Sequence, residues 1–310
     1  MQARLWTAVA IPALLVSLLV SLQGCDNGRG GGKVDSGLPL SYDSGLPDFA
    51  SSDLAQSGCA GQGAGCYTVY AHGDHDLYSI DLMTKQLIHV GPFKAPMVVS
   101  GSNMIEDVIT DLAVAPDDTI WVISIGSLYT ASPVDGHVTR VGSLTNCGDV
   151  CVALSFTPDG KLYTADFKGA FCSIDLSVSP PTVAKVTTLA QGLAVTGDLV
   201  AVADGTMYAT AYKLADASNM GSQLNNLLVK IEPSTGLVSS PIGKTGYPKL
   251  FGTAFALGKV FGFTHDGTGD VVTIDPTTGV GTLFGSFNDS GGMPIKFAGA
   301  GVNAMVSPIP

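Results

Sequence analysis

Glutamate is almost missing from this 310-residue chain: Glu106 and Glu232 are its only two, and the other acids are all aspartates. Glutamate favours helices and aspartate favours turns. This shortage, beside 39 glycines and 17 prolines, predicts many turns and few helices. Cations are also scarce: 15 Lys and Arg against 26 Asp and Glu give a net charge of −11. That balance excludes a protein that neutralises nucleic-acid phosphates with clustered cations. The motifs that mark common chemistries are missing too. There is no G-x-S-x-G, P-loop, dinucleotide fingerprint or H-E-x-x-H. The low charge content, 13%, does not mean disorder, because 45% of the residues are hydrophobic, enough to build a core.

The N-terminus carries an address. A single early cation, Arg4, precedes the apolar run Leu5–Leu22, broken only by Thr7, Pro12, Ser17 and Ser21, which stops at Gln23-Gly24-Cys25. A short apolar run followed by small residues reads as an export signal. The ending Leu22-Gln23-Gly24-Cys25 resembles the lipobox of bacterial lipoproteins. The resemblance implies cleavage after Gly24, so that residues 1–24 are a signal peptide. It also implies lipidation of Cys25 and an envelope location on either the inner or the outer membrane. Lipidation adds enough acyl chains for stable anchoring. Residues 25–58 then read as a tether. They contain Gly30-Gly31-Gly32 and two copies of Asp-Ser-Gly-Leu-Pro, at Asp35–Pro39 and Asp43–Pro47, a composition that buries too little apolar surface to offset ordering entropy.

Residues 59–310 are predicted to be all-β, built from a repeat. One motif recurs as Leu77–Asp81, Leu128–Ser132, Phe171–Asp175, Leu228–Glu232 and Val271–Asp275, at steps of 51, 43, 57 and 43 residues. Turns at Pro116–Asp118, Pro158–Gly160, Asp204-Gly205 and Leu257-Gly258 each precede an apolar strand. Further strands end at Gly91, Gly142, Gly243 and Gly285. Four short strands per 40–50 residues mark a β-propeller blade. The first unit lacks its opening strand and Ala298–Val306 supplies a spare one, so the termini are expected to pair and close a ring of five blades. Six blades follow instead if Gly192–Leu199 or Val98–Ile109 hides degenerate strands. The phrase Phe156-Thr-Pro-Asp-Gly-Lys-Leu-Tyr163 resembles repeats of NHL-type, YVTN-type and gluconolactonase-type propellers, over roughly residues 66–306. Gluconolactonase-type membership would imply a metal-dependent lactonase or hydrolase. The acidic metal ligands of that family cannot be placed on this chain residue by residue.

After lipidation of Cys25, five thiols remain for an oxidising compartment. Proximity in sequence suggests the disulfides Cys59–Cys66 and Cys147–Cys151, with Cys172 a free, buried core residue. Two His- and Asp-rich loops, from the first and last units, are brought next to each other by ring closure. His72, Asp74, His75, Asp76, His265, Asp266 and Asp270 are therefore candidates for a divalent-cation or polar-ligand site. The alternative is that they are ordinary turn formers. Lys213–Asn226 is a long polar insertion suited to binding. Asn288–Gly292 resembles the nucleophile segment of trypsin-like proteases, and Ala71-His72 their histidine motif. The repeats, however, occupy the segments in which that family builds its barrels, so the first reads as a Gly-rich link. The sequence thus points to an exported, lipid-anchored propeller that binds an unknown protein or carbohydrate and does no chemistry. It meets the membrane only through its anchor and binds no nucleic acid. A metal-dependent hydrolase and a glycan-binding module are the rival readings.

Overall fold

The computed structural model describes residues 68–305 apart from 101–102, 146, 220–225 and 304. The first blade begins with β1 (Thr68–His72), β2 (Asp76–Asp81) and β3 (Gln86–Pro92), and a hairpin, β4 (Met97–Ser100) and β5 (Asn103–Glu106), follows. The second blade is β6 (Ile109–Val114), β7 (Ile120–Ser124), β8 (Ser127–Ala131) and β9 (Val138–Ser143). The third is β10 (Cys151–Phe156), β11 (Leu162–Asp166), β12 (Ala170–Asp175) and β13 (Thr182–Thr188). In the fourth, β14 (Leu193–Ala201), β15 (Met207–Lys213) and β16 (Leu227–Glu232) are followed by a broken outer strand, β17 (Leu237–Val238) and β18 (Gly243–Lys244). The fifth is β19 (Leu250–Ala256), β20 (Lys259–Thr264), β21 (Asp270–Ile274) and β22 (Gly281–Ser286). The last strand, β23 (Gly299–Gly301), returns to the first blade and pairs antiparallel with β1, Tyr70 opposite Gly301 and His72 opposite Gly299. The ring is therefore five four-stranded blades, closed by its ends. Neither proposed source of a sixth blade supplies one among the described residues: residues 98–100 and 103–106 belong to the paired strands β4 and β5, and residues 193–199 to the inner strand β14.

Burial falls from the axis outward. All nine residues of β14 are buried, whereas the outer strands β13 and β22 have none buried. Inner strands are covered on both faces by neighbouring blades and so read as continuous apolar runs. Outer strands meet water. The acid that closes the repeated motif has a local task. Asp81 Oδ1 accepts the Met83 and Thr84 N–H groups, Asp275 Oδ1 those of Thr277 and Thr278, and Asp175 Oδ1 that of Ser177. Asp117 and Asp204 do the same in the other turn of the blade, for Thr119 and Thr206. The Ser177 and Thr277 hydroxyls, which also donate to Asp175 and Asp275, and then these N–H bonds hold those carboxyls below the usual range, as the Thr84 and Met83 N–H groups hold that of Asp81. Aspartate's short side chain is suited to capping its own backbone two residues on, which accounts for its dominance over glutamate.

The cysteine pairing departs from expectation. Cys147 bridges Cys172, with Cα atoms 5.7 Å apart, and Cys151 is the free, buried thiol. The predicted Cys147–Cys151 bridge does not form and Cys172 is not free. The cause is tertiary. The link after β9 folds into the cleft between the second and third blades, so Cys147 joins the same buried apolar cluster as Cys172, Leu154 and Ile174. Cys172 is buried as expected. Cys25, Cys59 and Cys66 lie outside the described residues.

A chain ending at Lys296 loses β23 together with Phe297, a fully buried ring. Truncating such a ring alone costs about 3–5 kcal/mol, against a typical total stability of about 5–15 kcal/mol. Thermal scans of this truncated chain should show aggregation or no cooperative transition. An unchanged melting temperature would mean that the ring does not depend on its closing strand.

Candidate functional site at the propeller axis

The loops joining second to third strands, and the links between blades, emerge on one face of the ring, termed here the loop face; the other turns form the turn face. His72 is the last residue of β1 and Gly299 lies opposite it. His72 is fully buried, not an exposed loop residue as its sequence context suggested. Its Nδ1 bonds the Gly73 carbonyl oxygen at 2.7 Å, and its Nε2 has no partner. A ring nitrogen facing a carbonyl carries the hydrogen, so Nε2 is the bare, accepting nitrogen. Burial lowers the pKa to about 4, and nearby His265 adds to the shift.

Two carboxyls share this depth. Asp111 on β6 and Asp198 on β14 are both fully buried. Asp198 Oδ1 accepts the Leu199 N–H at 2.5 Å, and its Oδ2 accepts the Thr253 N–H from β19. Asp111 Oδ2 accepts the Leu154 N–H from β10 at 2.6 Å, while Oδ1 receives no N–H. The two groups interact and both pKa values are raised well above the carboxylate range, chiefly by burial. Two carboxyls in contact in an apolar interior share a proton rather than both ionise. Asp111 Oδ1 is the one of the four carboxyl oxygens that accepts no hydrogen bond. Asp111 Oδ1 and His72 Nε2 stand 2.3 and 2.4 Å from the point that a Cβ on Gly299 would occupy. Glycine is required there. A Cβ on Gly197 would meet the Phe251 Cα at 2.5 Å, and one on Gly252 the Ala300 nitrogen at 2.8 Å. The inner strands thus touch backbone to backbone around the axis.

The two His/Asp loops lie on either side of the segment leading into β23. His265 Nδ1 bonds the Phe297 carbonyl at 3.0 Å, and the Ala298 N–H donates to the His72 carbonyl at 2.8 Å. His265 stacks on Phe251, with centroids 4.8 Å apart. Its pKa is lowered by burial, partly offset by the Asp74 carboxylate. Of the remaining candidates only Asp266 bonds within its own turn; His75, Asp76 and Asp270 reach neighbouring strands and the hairpin. Asp76 pairs with His89 at 2.8 Å, and His75 Nδ1 lies 3.6 Å from Glu106. Asp266 accepts from the Thr268 N–H and hydroxyl, and Asp270 from the Ser286 hydroxyl. Among the described residues no three His, Cys, Asp or Glu side chains gather closely enough to hold a metal ion. In the protease-like segment, Asp289 Oδ1 is taken up by the N–H groups of Gly291 and Met293. Lys213–Asn226 opens in a short 3-10 turn, Leu214–Asn219, and ends in buried Asn226, whose Oδ1 accepts the Leu250 N–H. Asp111 and Asp198 were not singled out by the motifs. Their signal was a lone acid within an apolar run, Ile109–Val114 and Leu193–Ala201.

The comparisons agree with this architecture. A family model described as a repeat of unknown function (DUF6923) matches residues 133–286. No curated protein matches in sequence. A chain from the nidogen/laminin complex is similar in fold, with a TM-score of 0.52 and 10% identity over 77% of this chain and 99% of that one. The chain is a β-propeller. A structural-genomics protein of unknown function from Bacteroides thetaiotaomicron gives 0.47 at 15% identity, over 76% of this chain and 59% of that one. The Dos1 propeller gives 0.42 at 11%, over 69% and 57%.

The axial groups make stability depend on pH in two opposed ways. His72, lowered to about 4 from an ordinary 6.5, contributes stability that is lost as pH falls through that interval. The carboxyl pair, raised, contributes stability that is complete below the ordinary carboxyl range and lost as pH rises through its elevated pKa. Above about pH 6.5 His72 adds no slope of its own. Asp111→Asn should keep the melting temperature where the pair is still protonated, because the amide donates where the shared proton did, and should flatten the decline as pH rises above the ordinary carboxyl range. Asp198→Asn, which turns an N–H toward main-chain donors, should be destabilised at every pH. Identical slopes for wild type and Asp111→Asn would rule out the shared proton.

Proposed function

We propose that this propeller is a non-catalytic recognition module, held in the cell envelope by a lipid on Cys25, whose loop face binds a protein or carbohydrate partner. The observation that carries this reading is the closed axis. The inner strands meet at Gly197, Gly252 and Gly299, and the space beside them is filled by His72, Asp111 and Asp198. Recognition then falls to the exposed rim rather than to a central cavity. The β4–β5 hairpin projects from the link between the first two blades, and its Met97 and Met104 are exposed at 55% and 57%. His75, Ile125 and Met293, in neighbouring loops and links, are exposed as well. Methionine adapts to varied contact surfaces. Two open depressions lie toward the turn face, one at Thr119, Ser132 and His137, the other at Asp159, Asp204 and Glu232.

Two experiments test the proposal. Cys25→Ser should move the protein from the membrane to the soluble envelope fraction, and the mature N-terminus of the wild type should be an acylated cysteine by mass spectrometry. Retention of the variant on membranes would mean a different anchor. A photo-cross-linking residue at His75 or Met104 should give a discrete adduct in intact envelopes, and one at Asp159 or Asp204 should not. Adducts from the turn face alone would overturn the assignment of the binding face.

A further inference from the structure

We propose that Cys151 is the third member of a thiol–disulfide exchange set, through which the Cys147–Cys172 bridge passes to Cys147–Cys151 and frees the link between the second and third blades from β12. Three sulfurs occupy one buried apolar cluster, two bridged and one free. The strand register brings them to one face of the third blade. Thr164 on β11 lies directly opposite Cys172 on β12, and Asp166, two residues along and hence on the same face, lies opposite Cys151 on β10. The Thr164 hydroxyl, otherwise without a partner, stands beside the Cys151 thiol. Cys151 and Cys172 therefore face the same side of the blade from strands on either side of β11, and Cys147, four residues before Cys151 in sequence, is bonded to Cys172 in the same apolar cluster.

The exchange balances without an outside oxidant. Cys151 gives up its proton and its sulfur attacks the Cys147 Sγ. The Cys147–Cys151 bond forms as the Cys147–Cys172 bond breaks, and the Cys172 sulfur leaves as a thiolate and takes up a proton. Cys172 then remains as a small buried hydrophobe. The bridge seen here closes the larger loop, spanning 25 residues of separation, and a larger loop constrains the unfolded chain more. The exchanged form is thus the minor one. Its consequence falls on the loop face. The link is now tied to the third blade by the bridge, by the Lys168–Asp149 ion pair and by the Asp149 N–H bond to Asp166. After exchange the covalent tie is to β10 alone, and a partner that draws the link outward favours that form. Burial holds the Cys151 thiol up and the Asp166 charge adds to this, while the Thr164 hydroxyl opposes it. The exchange is therefore slow at neutral pH and faster in base.

The test uses the full chain with Cys59 and Cys66 replaced by serine, to remove exchange through those thiols. The protein is incubated at pH 6, 8 and 9, quenched in acid, alkylated after denaturation and mapped without reduction. At pH 6 the expected species is Cys147–Cys172 with Cys151 alkylated. A Cys147–Cys151 peptide with Cys172 alkylated should appear in base, its rate rising about tenfold per pH unit below the thiol pKa, and should be lost in Cys151→Ser. A Cys172→Ser variant should form Cys147–Cys151 spontaneously and keep a cooperative melt. Absence of the Cys147–Cys151 peptide from the wild-type pairings at pH 9, with the far-ultraviolet spectrum unchanged, would overturn the proposal even if Cys172→Ser failed to fold.

Discussion

The innermost strand of a propeller blade has a sheet partner on one edge only. Its other edge faces the neighbouring inner strand at an angle that no continuous ladder can span, and an N–H left buried there without an acceptor costs about 1–3 kcal/mol. This chain answers with side chains. Asp111 receives the Leu154 N–H, Ser155 the Ala201 N–H, Asn226 the Leu250 N–H and Asp198 the Thr253 N–H. The hydroxyls of Thr110 and Thr210 donate across the same joints to the carbonyls of Cys151 and Leu250. At the closing joint Asn303 reaches the Pro116 carbonyl and Asp118. Each stitch joins one blade to the next, so the ring is held by polar contacts as well as by the apolar faces between blades.

The stitches have consequences. Strands close enough for a short side chain to bridge them leave no room for a Cβ, hence the glycines at 197, 252 and 299. Carboxyls used as acceptors this deep cannot both remain charged, hence the proton shared by Asp111 and Asp198. A neutral imidazole at His72 fits the same uncharged interior. The composition that looked like a turn-rich oddity thus divides by position. In the turns, hydroxyl and backbone N–H donors hold Asp175 and Asp275 below the usual range and backbone N–H groups so hold Asp81, while the buried pair Asp111 and Asp198 is driven toward the neutral form by burial.

A closed axis also orders the surface. With the inner strands packed together, the loop face is shaped by the β4–β5 hairpin and the inter-blade links. The cysteine cluster lies beneath one of those links, and the Cys147–Cys172 bridge ties that link to the third blade.

The blade count, the strand pairs and ring closure were legible in the sequence because they rest on local signals. The Ile-Asp strand endings, the Pro-Asp-Gly turns and the spare strand at 298–306 are all short-range features set by strand alternation and turn capping. The outer strand of the fourth blade, expected to end at Gly243, is instead broken into Leu237–Val238 and Gly243–Lys244, since Pro241 and its neighbours interrupt the ladder. The partner of Cys147 and the burial of His72 belonged to the tertiary structure alone. So did the meeting of Asp111 with Asp198, 87 positions away. A disulfide and a shared proton depend on which strands pack side by side, and separation along the chain does not measure that distance.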